Sequence, residues 1–324
     1  MNEEYLWNGE GDPDPEIARM ERLLRRFQHQ PDPSFLQRTP PKESSANRRP
    51  WFWISAVAAG AAVLIAISWD LRVRGPQPSE PDWKVSWNDS KSEPIRRGQI
   101  IETGKESAAR LEAEFVGEVR VDPHSRLKLL RSTNQEQRLS LERGTIHAFI
   151  WAPPREFVVD TPSATTIDLG CRYTLHIAPD GTGLLNVEVG WVAFEWRNLE
   201  SFIPAGAACS TRPSKGPGLP YFDDAASELR TATAQFDKDA GDQEMRRILQ
   251  TARPRDALTL WHLLSRTQGA ERTEVFARFS ELVKLPSSVT REKILNGDPA
   301  AFDAAWNALD LGDTDWWRGW KRRW

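Results

Sequence analysis

Hydrophobic and polar positions divide this chain into stretches of different period. From Asp14 to Phe27, Ile17, Met20, Leu24 and Phe27 recur at helical spacing, while Arg19, Arg22, Arg25 and Arg26 take the remaining surface. Asp14-Pro15-Glu16 reads as an N-cap, a first-turn proline and an acid set against the helix dipole. The pattern predicts a short amphipathic helix whose apolar stripe has nothing of its own to pack against. Prolines and polar residues from Pro31 to Pro50 then read as an extended tether.

The next stretch, Trp51 to Trp69, is uncharged and apolar throughout. At a rise of about 1.5 Å per residue it reaches roughly 28 Å, near the ~30 Å hydrocarbon thickness of a bilayer. Trp51, Phe52 and Trp53 crowd one end and Trp69 marks the other, where indoles favour the lipid–water boundary. A buried core helix is rarely bounded by Pro-rich tethers on both sides, and the polar residues 1–50 ahead of the run oppose a signal peptide. A single spanning helix is predicted. Arg38, Lys42, Arg48 and Arg49 before it, against Arg72, Arg74 and Lys84 after it, tilt the orientation slightly toward a cytoplasmic N-terminus.

After a second tether with Pro76, Pro78 and Pro81, the period falls to two. Val119 and Val121, Leu127 and Leu129, and Leu139 and Leu141 alternate with polar neighbours. Ile146, Ala148 and Ile150, Phe157 and Val159, Tyr173, Leu175 and Ile177, then Leu185, Val187 and Val189 continue the pattern. Glycines and prolines punctuate these runs, and Pro179-Asp180-Gly181 signals a hairpin turn. Short, regularly spaced strands predict an all-β domain, as a sandwich, roll or solenoid.

Residues 211–221 read as a Pro/Gly-rich loop, after which helical spacing returns. The predicted stripes are Ala226, Leu229, Thr233 and Phe236, stopped at Gly241, then Met245, Ile248 and Leu249. Pro254 opens one with Leu258, Trp261 and Leu264, and Val275, Phe276, Phe279, Leu282 and Val283 form another, stopped at Pro286. Asp298-Pro299 caps the last, with Phe302, Trp306 and Leu309. An α-helical C-terminal domain over residues 222–324 is expected.

Composition changes this picture little. The chain has 324 residues, 27% of them charged, and a net charge of −3, which gives no global basic character for nucleic acid. Cys171 and Cys209 both follow the apolar run, so the sequence leaves open either a disulfide between them or two free buried thiols. The five histidines show no metal-ligand spacing, and no nucleophile elbow, phosphate loop or dinucleotide fingerprint occurs. Asp237 to Asp242 has Asp242 where a calcium loop needs its glycine and Ile248 where it needs its glutamate, so it reads as a surface helix end. No catalytic residue, cofactor or metal is expected. At the C-terminus Trp317, Trp320 and Trp324 share one helical stripe with basic neighbours. They read as core-closing rings, or alternatively as a membrane- or carbohydrate-facing surface.

The β region resembles the FecR domains of membrane-spanning anti-sigma factors. Arg97-Gly98-Gln99-Ile100-Ile101-Glu102-Thr103-Gly104 resembles the opening G-x-x-I-x-T-G, and Gly117 to Leu127 the next strand pair. Leu139-x-Leu141-x-x-Gly144 resembles the strand and turn that follow, and Phe157-Val158-Val159-Asp160-Thr161-Pro162 resembles F-x-V-x-T-P. Gly170-Cys171-Arg172-Tyr173-Thr174-Leu175 stands where the family has G-T-x-F-x-V. Val187 to Val192 follows V-x-V-x-x-G-x-V with its glycine one place early, and Ala205-Gly206 resembles the closing turn. The resemblance covers residues 97–210 and rests on scaffold residues, turn glycines and β-branched strand positions.

The resemblance implies a bacterial inner-membrane, single-pass signal transducer with a cytoplasmic N-terminus and periplasmic C-terminal domains. Its partner would be an extracytoplasmic-function sigma factor, held by the apolar stripe Ile17, Met20, Leu24 and Phe27. That same helix could equally rest on anionic headgroups beside its own anchor. The outer domain would meet an envelope or outer-membrane protein. The arm has no cysteine and no H-x3-C-x2-C arrangement, which excludes a zinc-type anti-sigma module. The competing expectation is a membrane-anchored periplasmic scaffold with no transcriptional role. The expected organisation is arm 1–50, span 51–69, linker 70–96, β domain 97–210, loop 211–221 and helical domain 222–324.

Overall fold

The structure is a computed structural model that describes residues 83–88 and 90–312. The expected helix with Ile17, Met20, Leu24 and Phe27, the apolar run 51–69 and the C-terminal tryptophan stripe lie outside the described residues. Among the described residues no helix is long and apolar enough to cross a membrane.

In chain order the strands are β1 (Lys84–Trp87), β2 (Glu93–Pro94), β3 (Ile100–Glu102), β4 (Ala109–Ala113), β5 (Gly117–Val121) and β6 (Arg126–Ser132). They continue with β7 (Gln137–Ile150), β8 (Phe157–Asp160), β9 (Thr165–Asp168), β10 (Arg172–Ile177) and β11 (Gly183–Val189). The series closes with β12 (Trp191–Trp196), β13 (Leu199–Pro204), β14 (Ala207–Arg212), β15 (Gly216–Pro217) and β16 (Tyr221–Phe222). One sheet runs β2-β1-β4-β5-β7-β10-β11-β14, with β15 and β16 on the far side of β14. The other runs β3-β6-β7-β8-β9-β12-β13. Every pair is antiparallel except β7 with β8, so the solenoid alternative, which stacks parallel strands, does not hold.

Strand β7 belongs to both sheets, and Gly144 is where it changes over. Residues 137–143 pair with β6, and residues 144–149 pair with β10. Leu139 and Leu141 are buried before the glycine, and Ile146, Ala148 and Ile150 after it, so the inward face moves from odd to even positions. Gly144 has φ +96°, and a Cβ there would lie 2.3 Å from Ser125 Cα. The sequence pattern suggested two strands separated by a turn at this point. A positive-φ glycine instead shifts the pleat by one residue while the chain stays extended and paired. Ser125 Oγ accepts the Thr145 N–H at 2.9 Å, and Thr103 Oγ1 donates to the Asp122 carbonyl at 2.6 Å, which fixes the crossing.

The hairpin expected at Pro179-Asp180-Gly181 joins β10 to β11, with Asp180 Oδ1 accepting the Thr182 N–H at 2.9 Å. Residues 211–221, expected as a loop, instead extend the first sheet through β15 and β16, and Gly218, Leu219 and Pro220 are buried. The sheet therefore continues past residue 210 to Phe222.

The helices are α1 (Ser227–Asp239), α2 (Asp242–Thr251), α3 (Ala257–Arg266), α4 (Gly269–Leu282), α5 (Arg291–Leu295) and α6 (Pro299–Asn307). The expected stripes bury Leu229, Thr233 and Phe236 of α1, Met245 and Ile248 of α2, and Val275, Phe276 and Phe279 of α4. Asp298 caps α6 by accepting the Ala301 N–H at 2.9 Å. Helix α5, capped by Thr290, is too short to carry a periodic stripe, which is why the pattern does not reveal it.

The helices do not form a separate domain. Helix α3 is buried from Ala257 through Leu264 and docks on β13. There His262 Nε2 accepts the Phe202 N–H at 3.0 Å, while Nδ1 donates to the Leu258 carbonyl at 2.9 Å. Trp306 of α6 packs 5.8 Å from the Trp191 ring, 5.7 Å from Phe202 and 4.7 Å from Trp261, centroid to centroid. Strands and helices share one hydrophobic core. The surface helix end expected at Asp237–Asp242 is where α1 stops, with Lys238, Asp239 and Ala240 exposed, but the Asp237 side chain turns inward. Its carboxylate accepts the Leu219 N–H at 2.9 Å and the Ser210 hydroxyl at 3.0 Å. Arg266 donates to Ser201 Oγ at 2.6 Å and to the Gly218 carbonyl at 2.7 Å from the other side. These bonds hold the 211–221 segment against the sheet, which is what denies it the freedom of a loop.

Candidate functional site

Alternation along β5, β7, β10 and β11 sends one set of side chains into the core and the other onto an outer face. Register lines these outer residues up in rows. One row reads Lys84, Glu112, Glu118, Phe149, Arg172 and Val189 across successive strands. The next reads Ser86, Arg110, Arg120, His147, Thr174 and Asn186. At one end of this face the apolar exposure is unusual: Phe115 is 73% exposed, Val189 55%, Trp151 50% and Phe149 44%.

The aromatic cluster is built rather than loose. Phe149 and Trp151 meet edge to face with centroids 5.5 Å apart, and Trp151 Nε1 donates to the Glu114 carbonyl at 3.0 Å. The Trp151 and Ala152 N–H groups both donate to the Val116 carbonyl at 3.0 Å, so β7 is tied to the turn that carries Phe115. The Arg172 guanidinium lies 4.5 Å over the Phe149 ring. An adjoining depression of about 510 Å³ carries Glu118, Arg120, Asp122, His147 and Glu188. Glu118 bonds both Arg110 and Arg120; burial would raise its carboxyl, but these two guanidiniums prevail and hold it below the usual range. His147 Nε2 sits 3.0 Å from Asp122 Oδ2, and its Nδ1 3.0 Å from Thr174 Oγ1.

Exposed aromatic side chains with an arginine, rimmed by polar groups, are the composition of a protein-docking surface. Among the described residues no three His, Cys, Asp or Glu side chains are placed to hold a metal. In a second cleft of about 490 Å³, between Arg138 and Trp196, the Arg138 guanidinium is already committed. Arg138 donates to Asp160 at 2.8 and 3.0 Å and to Glu136 at 2.8 Å.

Cys171 and Cys209 are free and buried, not bridged. Cys209 faces Leu185, which faces Leu175, four residues from Cys171. Two strand spacings across and four residues along place them about 10 Å and about 13 Å apart in the sheet, far beyond disulfide reach. Cys171 instead donates its thiol proton to Asp168, whose other oxygen accepts the Gly170 N–H at 2.7 Å. Burial raises the Asp168 carboxyl to about 7 against the lowering effect of those bonds. The Tyr173 hydroxyl is buried nearby without a hydrogen-bond partner. Cys171 and Tyr173 are the residues that replace threonine and phenylalanine in the G-T-x-F pattern, so this polar cluster is a departure from the family's scaffold.

The sequence reading missed the aromatic patch. The available signal was the phase of β7: with Ile146, Ala148 and Ile150 inward, Phe149 must point out, and an outward phenylalanine beside a tryptophan is uncommon.

The FecR protein family model matches residues 99–193, so this segment is similar to FecR domains. No curated protein matches the chain. Among solved structures, a 1.65 Å crystal structure of a proposed anti-sigma factor from Parabacteroides distasonis has 15% identity and a TM-score of 0.34. The match covers 42% of this chain and 65% of that one. A 2.50 Å crystal structure, also of a proposed anti-sigma factor from that organism, gives the same identity and TM-score and covers 42% and 64%. The present chain thus spans just under two thirds of the length of those structures.

Proposed function

We propose that this chain is a membrane-spanning signal transducer that regulates an extracytoplasmic-function sigma factor in response to an envelope signal. The observation that carries the reading is a FecR-like domain at residues 99–193 placed downstream of the apolar run 51–69 in one polypeptide. The run anchors the chain in the inner membrane, the arm 1–50 faces the cytoplasm, and the described strands and helices face the periplasm. The stripe of Ile17, Met20, Leu24 and Phe27 holds the sigma factor. The patch of Phe115, Phe149, Trp151 and Arg172 meets an envelope protein that carries the signal. No catalytic step, cofactor or metal is assigned.

A lone spanning helix transmits little by bending, so signal passes by regulated cleavage or by a change in association. Capture of a sigma factor from lysate by the full chain, weakened at least tenfold by the Leu24→Asp, Phe27→Asp double variant, supports the reading. Undiminished capture overturns the role given to the stripe. If the chain captures no sigma factor and leaves the membrane fraction under alkaline carbonate, the whole regulatory reading fails. Carbonate resistance without sigma capture leaves the membrane-anchored scaffold.

A further inference from the structure

Where α1 crosses β14 and β16, the surface opens into a groove of about 470 Å³. Arg230, Ala234 and Lys238 lie along it at successive i, i+4 positions of α1, bordered by Thr231. Arg212 at the end of β14 and Tyr221 of β16 form the opposite wall. No carboxylate lines this groove. Among the described residues none pairs with Arg212, Arg230 or Lys238, whereas Arg110, Arg120, Arg126, Arg131, Arg138 and Arg143 on the sheets all form ion pairs. Arg212 Nε is buried and has no hydrogen-bond acceptor among the described residues.

The nearest acids lie outside the lining and reach these cations only through space. Asp237, which accepts the Ser210 hydroxyl and the Leu219 N–H and pairs with Arg266 at 3.9 Å, and Asp180 both act on Arg212 through space. Glu228 accepts a hydrogen bond from the Ser227 hydroxyl at 3.1 Å, and Asp223, outside the lining, acts on Arg230 through space. Lys215, which donates to the Lys238 carbonyl, adds a further cation at the rim. Three cations with no direct ion pair, around a floor of one small residue with hydroxyls at the edge, make a receptor for a compact, multiply charged oxyanion.

We propose that this groove binds a phosphoryl group, either of a free phosphate compound or of an anionic lipid headgroup. The guanidiniums of Arg212 and Arg230 grip two oxygens and Lys238 supplies the point charge. Ala234 leaves the room the anion needs. The site is separate from the aromatic patch, and it stands or falls independently of the sigma-factor reading.

The test is isothermal titration of the full chain in zwitterionic detergent. The probes are pyrophosphate, dihexanoyl phosphatidylglycerol below its micelle concentration, and dihexanoyl phosphatidylcholine as the neutral control. Saturable one-to-one binding of pyrophosphate, weakened at least tenfold by Arg230→Gln with Lys238→Gln and by Ala234→Glu, supports a free phosphate ligand. Binding of the phosphatidylglycerol alone, with the same losses, assigns the headgroup. The substituted positions are exposed on α1, and an unchanged melting temperature shows that the fold survives. No saturable binding of either anion, equal binding of the neutral lipid, or binding that persists in the variants overturns the proposal.

Discussion

Replacing Asp168 with Asn removes the charge from a carboxyl that is only 1% exposed. Burial raises that group from 3.8 to about 7, so the folded chain keeps a proton that the unfolded chain releases. Stability therefore falls as pH climbs from about 4 to about 7 and is level on either side, the reverse of a salt-bridged carboxylate. The difference in proton affinity costs the ionised folded state about 4 kcal/mol. Cys171 and Tyr173, the titratable neighbours, are raised by burial and by Asp168 itself, so both stay neutral in this window. His262 works the other way: burial lowers it from 6.5 to about 3, so its contribution is lost as pH falls through that range. The two nearly offset one another in the wild type between pH 4 and 6.5. The difference between Asp168→Asn and wild type cancels His262 and isolates the carboxyl. Thermal melts of the full chain followed by tryptophan fluorescence should show no offset at pH 3.5. At pH 8 the variant should melt higher by about 10 °C, taking roughly 2–4 °C per kcal/mol for a unit of this size. An offset that is the same at pH 3.5 and pH 8, or a variant less stable at pH 8, would refute the buried-carboxylate account.

Other consequences are as direct. Gly144→Val combines a positive φ with a Cβ inside the Ser125 backbone, and should cost about 3 kcal/mol or more in urea titration; a loss below half of that would mean β7 can change sheets without its glycine. His262→Leu leaves the Phe202 N–H without its acceptor and should lose about 1–3 kcal/mol at pH 7. The loss should shrink toward pH 4, because the histidine's own contribution fades there. Phe149→Ser with Trp151→Ser removes exposed apolar surface, so the melting temperature should change little while crosslinking to an envelope partner in cells drops severalfold. Crosslinking that persists would move the docking surface elsewhere.

Strands β5, β6, β8, β10 and β11 and the two halves of β7 were legible from their alternating residues, and the turn at Pro179-Asp180-Gly181 announces itself chemically. The helical stripes of α1, α2, α4 and α6 were legible for the same reason, at a different period. The family likeness was legible too, because it consists of scaffold residues in order. What periodicity hides is the pairing of distant segments. Nothing local tells that Asp237 will be drawn inward by Ser210 and Leu219, or that 211–221 will consequently extend the sheet. Nor does the spacing of Cys171 and Cys209 reveal that strand register keeps them apart.

The sequence by itself determined most of the longer strands and helices, their order and the apolar run ahead of them, since each follows from propensity and from which face of a strand or helix is greasy. Tertiary structure alone decided that β7 serves two sheets, that α3 closes the edge of β13, and that Phe149, Trp151 and Arg172 share one surface. Those outcomes depend on close approach between residues far apart in the chain, where a glycine's missing side chain or a buried donor's need for an acceptor selects one packing.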